Sequence, residues 1–343
     1  MKAVMPGPDA PYQACTPREI AELFGVAAAR VEAWLAAGLP QDDGLIDPMT
    51  ACNWITLGPL AEAPVLSRRW RSYLAWFRPF VEGRDEARTV RWEREHAIFL
   101  PRDCRDLSWW LPEPIQHDRQ QVGQPTAWSR AVSQSDTHSR IDIAEPSTTE
   151  RMTGTCTVRV EPSRVGEDAV AALAELRAAV AEWIQEFTYI YRRHAHGDGD
   201  PAAAPRVGTC LDCALGFARH CAAAGWRWRL MAGVVARDEV SNAHYWLEVS
   251  DGGTWYPVDP SLPAIARMLG EDPAPWIAAY TGGCDARRIL LAQDPHPLGD
   301  QDMPVFCSMS PGEAVVTHSD ERCDAWGCID WVLGATSGSF SLV

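Results

Sequence analysis

Residues 242–250, NAHYWLEVS, alternate with period two: His244, Trp246 and Glu248 share one side, and Tyr245, Leu247 and Val249 the other. Gly252-Gly253 then makes a tight turn into a second strand that ends at Asp259-Pro260. These two strands require an antiparallel hairpin. Upstream, Gly208 to Cys221, GTCLDCALGFARHC, reads as one helix entered from a glycine-containing loop, with Ala214, Phe217, Ala218 and Cys221 on one face. A helix laid against that hairpin is the arrangement the spacing predicts.

The helix carries three of the chain's 11 cysteines. That count is odd and the residues are scattered, which fits free thiols in a reducing cytoplasm better than a disulfide framework. A nucleophilic thiol needs an environment favouring thiolate, a base for the proton and donors for an oxyanion. Cys210 sits where loop becomes helix, so unpaired backbone N–H groups and the positive end of the macrodipole favour thiolate there. Its own N–H is one oxyanion donor; the sequence names no second. His244 is the candidate base, and the hairpin can set Asp259 beside it to fix the tautomer and stabilise the charged ring. Asp212, in the first turn, suits a capping acid, and its charge opposes thiolate formation, so its expected role is structural. Cys213 and Cys221 are expected as core thiols. A zinc clip built from Cys210, Cys213, Cys323 and Cys328 is the alternative, disfavoured by the Cys323-x4-Cys328 spacing.

Gly208, Cys210, Asp212 and Ala214, then Gly225 and Arg229, then His244, Trp246 and Glu248, then Trp255, Asp259 and Pro260 follow one another in the order of a known pattern. Over roughly residues 150–265 the chain resembles the transglutaminase-like superfamily. The resemblance implies a papain-like α+β fold, a helix bearing the cysteine packed on an antiparallel sheet bearing His and Asp, and a Cys210-His244-Asp259 triad. It implies no cofactor, and no acidic loop of EF-hand type suggests calcium. Where the family often has Gly-Ile-Pro-Ala-Arg, this chain has Gly225-Trp226-Arg227-Trp228-Arg229. Trp226, Trp228, Tyr245 and Trp246 are therefore the expected walls of a substrate groove.

The chain begins differently. Within residues 16–40, Thr16 and Glu19 form a capping box before Ile20, Leu23 and Phe24, and a second helix buries Val31, Trp34 and Leu35. Asp47-Pro48 opens an expected third helix with Trp54 inward. This stretch, with Trp34, Gly38-Leu39-Pro40, Gly44 and Asp47, resembles the helix-turn-helix module of MerR-type regulators and phage small-terminase subunits. Between Cys15 and Gly58, however, Arg18 and Arg30 face Glu19, Glu22, Glu32, Asp42, Asp43 and Asp47. That balance favours a protein-docking or structural module, with DNA binding through residues 16–58 as the alternative.

Three regions are expected: a helix-turn-helix-like module (1–60), an Arg/Trp-rich helical segment and polar linker (61–150), and a transglutaminase-like domain with a C-terminal extension (151–343). In the second, Trp70, Leu74 and Phe77 are read as a core-facing stripe. Leu111 to Thr149, polar and aperiodic, is read as linker or surface excursion. A strand is expected from Thr153 to Glu161 and a helix from Glu167 to Tyr191. The net charge of −15 repels phosphate backbones and anionic membrane surfaces. No apolar run suggests a signal peptide or reaches the length of a membrane helix, so a cytoplasmic location is expected. The expected activity is thiol acyl transfer on a peptide, protein or acyl-carrier substrate. Protease or amidase comes first, then amide-forming acyl transfer, then a DNA- or partner-binding accessory protein with a non-turnover scaffold.

Overall fold

Thr16 gives its N–H to Glu19 Oε2 at 2.7 Å and accepts the Glu19 N–H on Oγ1 at 3.3 Å, so the capping box forms and opens helix α1, Pro17–Phe24. Helix α2, Ala28–Ala36, follows. Ile20, Val31, Trp34, Leu39, Ile46 and Ala51 bury together in a small core of their own. The computed structural model describes residues 15–24, 26–36, 43–46, 64–99, 104–134, 138–147, 149–166, 173–189, 207–236, 242–250, 252–293, 313–318, 321–324 and 333–342, with residues 39, 41 and 51. The expected third helix and Trp54 lie outside the described residues, Ala51 excepted.

Helix α3, Pro64–Val81, turns Trp70, Tyr73, Leu74, Phe77 and Phe80 inward at helical spacing. Arg78 on the same helix holds Glu271 through two hydrogen bonds of 3.0 and 2.8 Å. Aromatic rings on this segment thus serve a core, as the stripe of Trp70, Leu74 and Phe77 predicts.

The next stretch departs from the sequence reading. Strands β1 (Arg88–Phe99), β2 (Cys104–Pro112), β3 (Gln120–Trp128), β4 (Ser133–Gln134) and β5 (His138–Ala144) occupy the stretch read as Arg/Trp-rich helix and polar linker, and β6 (Thr149–Val160) forms where a strand was expected from Thr153 to Glu161. Two features hid the first five. Strand β3 shifts register twice against β6, between Val122 and Gln124 and between Gln124 and Ala127, which breaks its alternation. Its inward positions and those nearby are polar: Glu113, Gln120, Thr126 and Ser139 are all buried. Strand β6 runs across residue 150 and pairs with β1 and β3.

The second half begins with β7 (Ser163–Arg164) and helix α4 (Leu173–Glu186). The expected helix to Tyr191 stops five residues early. Thr188–Tyr189 instead forms β8, parallel to β9 (Val207–Gly208), with Tyr189 opposite Gly208. Thr209 then caps helix α5, Cys210–Ala223, and its N–H reaches Asp212 Oδ2 at 2.9 Å. Strands β10 (Arg227–Val235), β11 (Asn242–Ser250) and β12 (Trp255–Val258) follow, then helices α6 (Ser261–Met268) and α7 (Ala274–Tyr280), β13 (Gly283–Cys284) and β14 (Arg288–Gln293).

The order β12-β11-β10-β14 makes an antiparallel sheet in which His244 faces Gly233. A Cβ on Gly233 would lie 2.2 Å from the Ile289 carbonyl oxygen, so the close approach of β14 requires glycine there. Tyr245, Leu247 and Val249 join the main core with α5, while Trp246 packs with Met231, Leu290 and Ile115. Gln120 clasps the backbone of Leu290, giving 2.8 Å to its O and accepting 2.7 Å from its N, which ties the β-rich region to this sheet. Strands β15 (Glu313–His318), β16 (Glu321–Asp324) and β17 (Leu333–Leu342) return to that region: β15 pairs with β2 and β17 with β1.

Candidate active site

The capping box at Thr209 and Asp212 fixes where α5 begins, and that puts Cys210 at the helix's first position with an N–H that has no acceptor within the helix. Strand β11 carries His244, and Asp259 follows the last residue of β12. The hairpin brings them to contact: His244 Nε2 is 2.7 Å from Asp259 Oδ2. The other ring nitrogen, Nδ1, looks away from the carboxylate and meets the Tyr73 hydroxyl at 3.3 Å. Cys210 interacts with the same ring. Cys210 is 6% exposed, and His244 and Asp259 are more deeply buried.

Asp259 is held at every lone pair. Ser261 gives its N–H to Oδ1 at 3.0 Å and its hydroxyl to the same oxygen at 2.6 Å. Arg288 Nη1 gives a hydrogen bond to Oδ2 at 2.7 Å, while its Nη2 meets Asp285 at 2.9 Å. Burial alone would raise the Asp259 pKa, but the charged His244 ring, Arg288 and Ser261 outweigh it and lower it to about 2. Burial likewise works against a charged His244, yet Asp259 first and Cys210 second raise it to about 9. At neutral pH the pair is carboxylate and imidazolium.

The three helix cysteines separate by environment. Burial pushes the Cys213 thiol well up, and it pushes Cys221 up to about 12. Both behave as core thiols. Only Cys210 touches an imidazole. Among the described residues no group of three or more His, Cys, Asp or Glu could hold a metal ion; Cys328 lies outside them.

Comparison with known proteins bears on this geometry. Residues 164–260 match the transglutaminase-like superfamily. The match covers Cys210, His244 and Asp259 and supports a cysteine-dependent kind of enzyme. No curated protein is similar enough to count as a match. Among solved structures, a Cytophaga hutchinsonii protein provisionally named a cysteine protease is similar at 15% identity, covering 67% of this chain and 98% of its own, with a TM-score of 0.37.

Outside that transglutaminase-like stretch, Ser261, Arg288 and Tyr73 complete the site, and the sequence reading named none of them. Arg288, on β14, had no signal: an arginine in an ordinary apolar strand looks like any edge residue. Tyr73 sits in an α3 stripe that reads as core throughout. The expected groove walls fare differently. Tyr245 and Trp246 are 2% and 1% exposed, so they support the site from within the core and offer a substrate no surface. Trp246 lies alongside His244, ring centroids 6.1 Å apart, and under Arg288 at 4.8 Å. Trp226 follows the far end of α5, about 20 Å from its first residue at 1.5 Å per residue. Trp228 pairs with Val249, five residues along β10 from the Gly233–His244 register, about 17 Å at strand spacing. Neither lies beside Cys210. The family motif marks their place in the chain correctly, but the helix and strand carry that place away from the sulfur.

In the N-terminal module, Arg18 lies 3.4 Å from Glu22, one turn on, and no comparison supports a nucleic-acid partner. No helix among the described residues is long and apolar enough to cross a membrane.

Proposed function

We propose that the chain is a thiol acyl-transfer enzyme that cleaves amide bonds of peptides or proteins through a Cys210 acyl-enzyme, with water as the acceptor. The observation that carries this reading is the His244 ring, bound through Nε2 to a saturated carboxylate and in contact with the Cys210 thiol. The thiol proton is held on His244, so the sulfur attacks beside an imidazolium that Asp259 keeps oriented. The sulfur attacks the carbonyl carbon, the oxygen takes the π pair, and His244 gives its proton to the departing amine. Water, deprotonated by the same ring, then releases the acid and restores the thiol. Arg288 and Ser261 do not touch substrate; they are positioning residues for Asp259.

The test is acylation of the purified chain by p-nitrophenyl acetate and alkylation by iodoacetamide, with modified residues mapped by mass spectrometry. Cys210→Ala and His244→Ala should each remove the acylation burst while the far-UV spectrum stays that of the wild type. Preferential labelling of Cys213 or Cys221 would sink the assignment. A fluorescent peptide library with and without an added primary amine then separates hydrolysis from amide formation: incorporation of the amine at a rate matching release would move the reading to acyl transferase.

A further inference from the structure

Two hydroxyls that the triad does not use converge on its reacting atoms. Tyr73, from α3, brings Oη to 3.3 Å from His244 Nδ1. Tyr189, from β8, pairs with Gly208, two residues before Cys210, and interacts with the Cys210 side chain. Both residues are buried, and the Trp70 ring meets each of them edge-on, at 5.9 Å from Tyr73 and 5.2 Å from Tyr189. Phe77 packs against Tyr73 at 5.1 Å. Phenol groups set in such an aromatic wall are costly to bury unless their hydrogens are given to something. The direction of each bond follows from the ring's charge. An imidazolium carries a proton on Nδ1, so Tyr73 Oη accepts there and its own hydrogen is directed elsewhere. The two hydroxyls thus flank the reacting pair, Tyr73 at the imidazole and Tyr189 on the side of Cys210.

We propose that the hydroxyls of Tyr73 and Tyr189, together with the backbone N–H of Cys210, form the oxyanion hole of this site. The inference rests on the acyl-enzyme reading above and supplies the donors that reading needs. In the acylation step the sulfur's electron pair forms the S–C bond and the carbonyl π pair moves onto oxygen, while the thiol's proton stays on His244. The negative charge thus shifts from sulfur to an oxygen two bonds away. Rotation about each Cζ–Oη bond lets the hydroxyl hydrogens follow it with the rings fixed, so no reorganisation is needed at the moment of reaction. When the intermediate collapses, the pair returns to the carbonyl and the leaving group departs. Burial first, and the negative charge at Cys210 second, hold both phenols protonated well above the ordinary tyrosine range, so the donors persist at any pH where the enzyme is folded. Rings clamped by Trp70 and Phe77 are fixed parts of the wall, which argues against a cap that must swing away.

The experiment compares two reactions of the same sulfur. Acylation by p-nitrophenyl acetate passes through an oxyanion; alkylation by iodoacetamide expels iodide and forms none. Tyr73→Phe and Tyr189→Phe should each lower the acylation rate constant by about a hundred-fold, as loss of one oxyanion donor does elsewhere. The plateau alkylation rate at Cys210 should stay near that of the wild type. Equal losses in both reactions would mean that the tyrosines only position the thiol, and would overturn the proposal. So would unchanged or faster acylation. Alkylation confined to Cys210 certifies a folded site in each variant, and if Tyr189→Phe does not fold, Tyr73→Phe decides alone. Acylation that survives in Cys210→Ala would instead overturn the acyl-enzyme reading itself, which keeps the two failures distinct.

Discussion

Among the buried arginine–carboxylate pairs of the described residues, Arg94–Glu113 and Arg288–Asp259 have different consequences. In the β-rich region Arg94 Nη2 meets Glu113 at 2.7 Å, and Glu113 also accepts from Thr126, from Ser139 and, at 2.8 Å, from Trp128 Nε1. The Arg94 guanidinium is sandwiched over Trp92 at 4.6 Å and Trp128 at 4.4 Å. In the helix-on-sheet region Arg288 meets Asp259 at the same 2.7 Å, over Trp246 and Tyr280. Both carboxylates are saturated with donors, as buried charges must be. The difference lies in one donor. Every donor to Glu113 keeps its proton at any working pH, whereas Asp259 holds an imidazole whose other side meets a thiol. Charge burial alone builds a rigid corner; a donor able to give its proton away, set beside a sulfur, makes the same corner capable of chemistry.

The largest effect should come from neutralising the two carboxylates in turn. Asp259→Asn should lower p-nitrophenyl acetate turnover on the order of a thousand-fold or more, because the amide no longer favours the charged ring or its tautomer. Glu113→Gln should cost about 3 to 5 kcal/mol of stability by leaving Arg94 buried without its counter-charge. In the folded fraction it should leave turnover intact. Denaturant titration paired with burst kinetics measures both, and a Glu113→Gln enzyme that is folded yet inactive would erase the distinction.

Exchanging the arginines is the next test. Arg288→Gln removes a cation that opposes charging of the nearby ring, so the alkaline limb of the rate profile should move above its wild-type position near pH 9, with turnover down by about ten-fold from lost orientation of Asp259. Arg94→Gln should leave that limb in place. A limb unmoved in Arg288→Gln would confine the residue to stability.

Which of these features could be read in the sequence follows from how far apart their parts lie. The Cys210 helix, the His244 strand and the Asp259 turn are each local patterns, and a hairpin connection of a few residues ties the last two together. Their contact was therefore foreseeable. Arg288 and Tyr73 reach the site only through tertiary packing, from 29 residues beyond Asp259 and from 171 residues before His244. No local period marks either. The β-rich region was lost for a different reason: register shifts in β3 and buried polar side chains such as Glu113 and Gln120 erase the alternation by which strands are recognised. The tryptophans near Gly225 lie some way along helix and strand from Cys210, a separation the motif could not reveal because a motif gives order and not distance.

Stability against pH should show the smaller, two-sided signature of the ionised pair. The folded Asp259 pKa is lowered from 3.8 to about 2, so its contribution is present above about pH 4 and fades as pH falls toward 2. The folded His244 pKa is raised from 6.5 to about 9, so its contribution is complete below 6.5 and is lost as pH rises through 9. Thermal midpoints should accordingly be highest between about pH 4 and 6.5 as far as this pair is concerned. His244→Gln should flatten the alkaline decline, and an undiminished decline in that variant would assign it to another group.

Trp228 gives the smallest expected effect and bears on how far the reactive region extends. Its ring is 39% exposed at the start of β10, next to Arg227, whose guanidinium lies 5.4 Å from the Trp255 ring centroid. The distance along the strand keeps it out of contact with anything bonded to Cys210. Trp228→Ala should therefore change p-nitrophenyl acetate acylation by less than about 0.5 kcal/mol, the usual range for a surface substitution. A peptide is longer than an acetyl group and could span that distance in extended form. If the same variant leaves the small ester unaffected but raises KM for peptides, substrate runs along β10 and the chemical corner has a binding track. If it slows both alike, Trp228 acts through the fold, and the separation drawn here between the reactive corner and the far end of the sheet no longer holds.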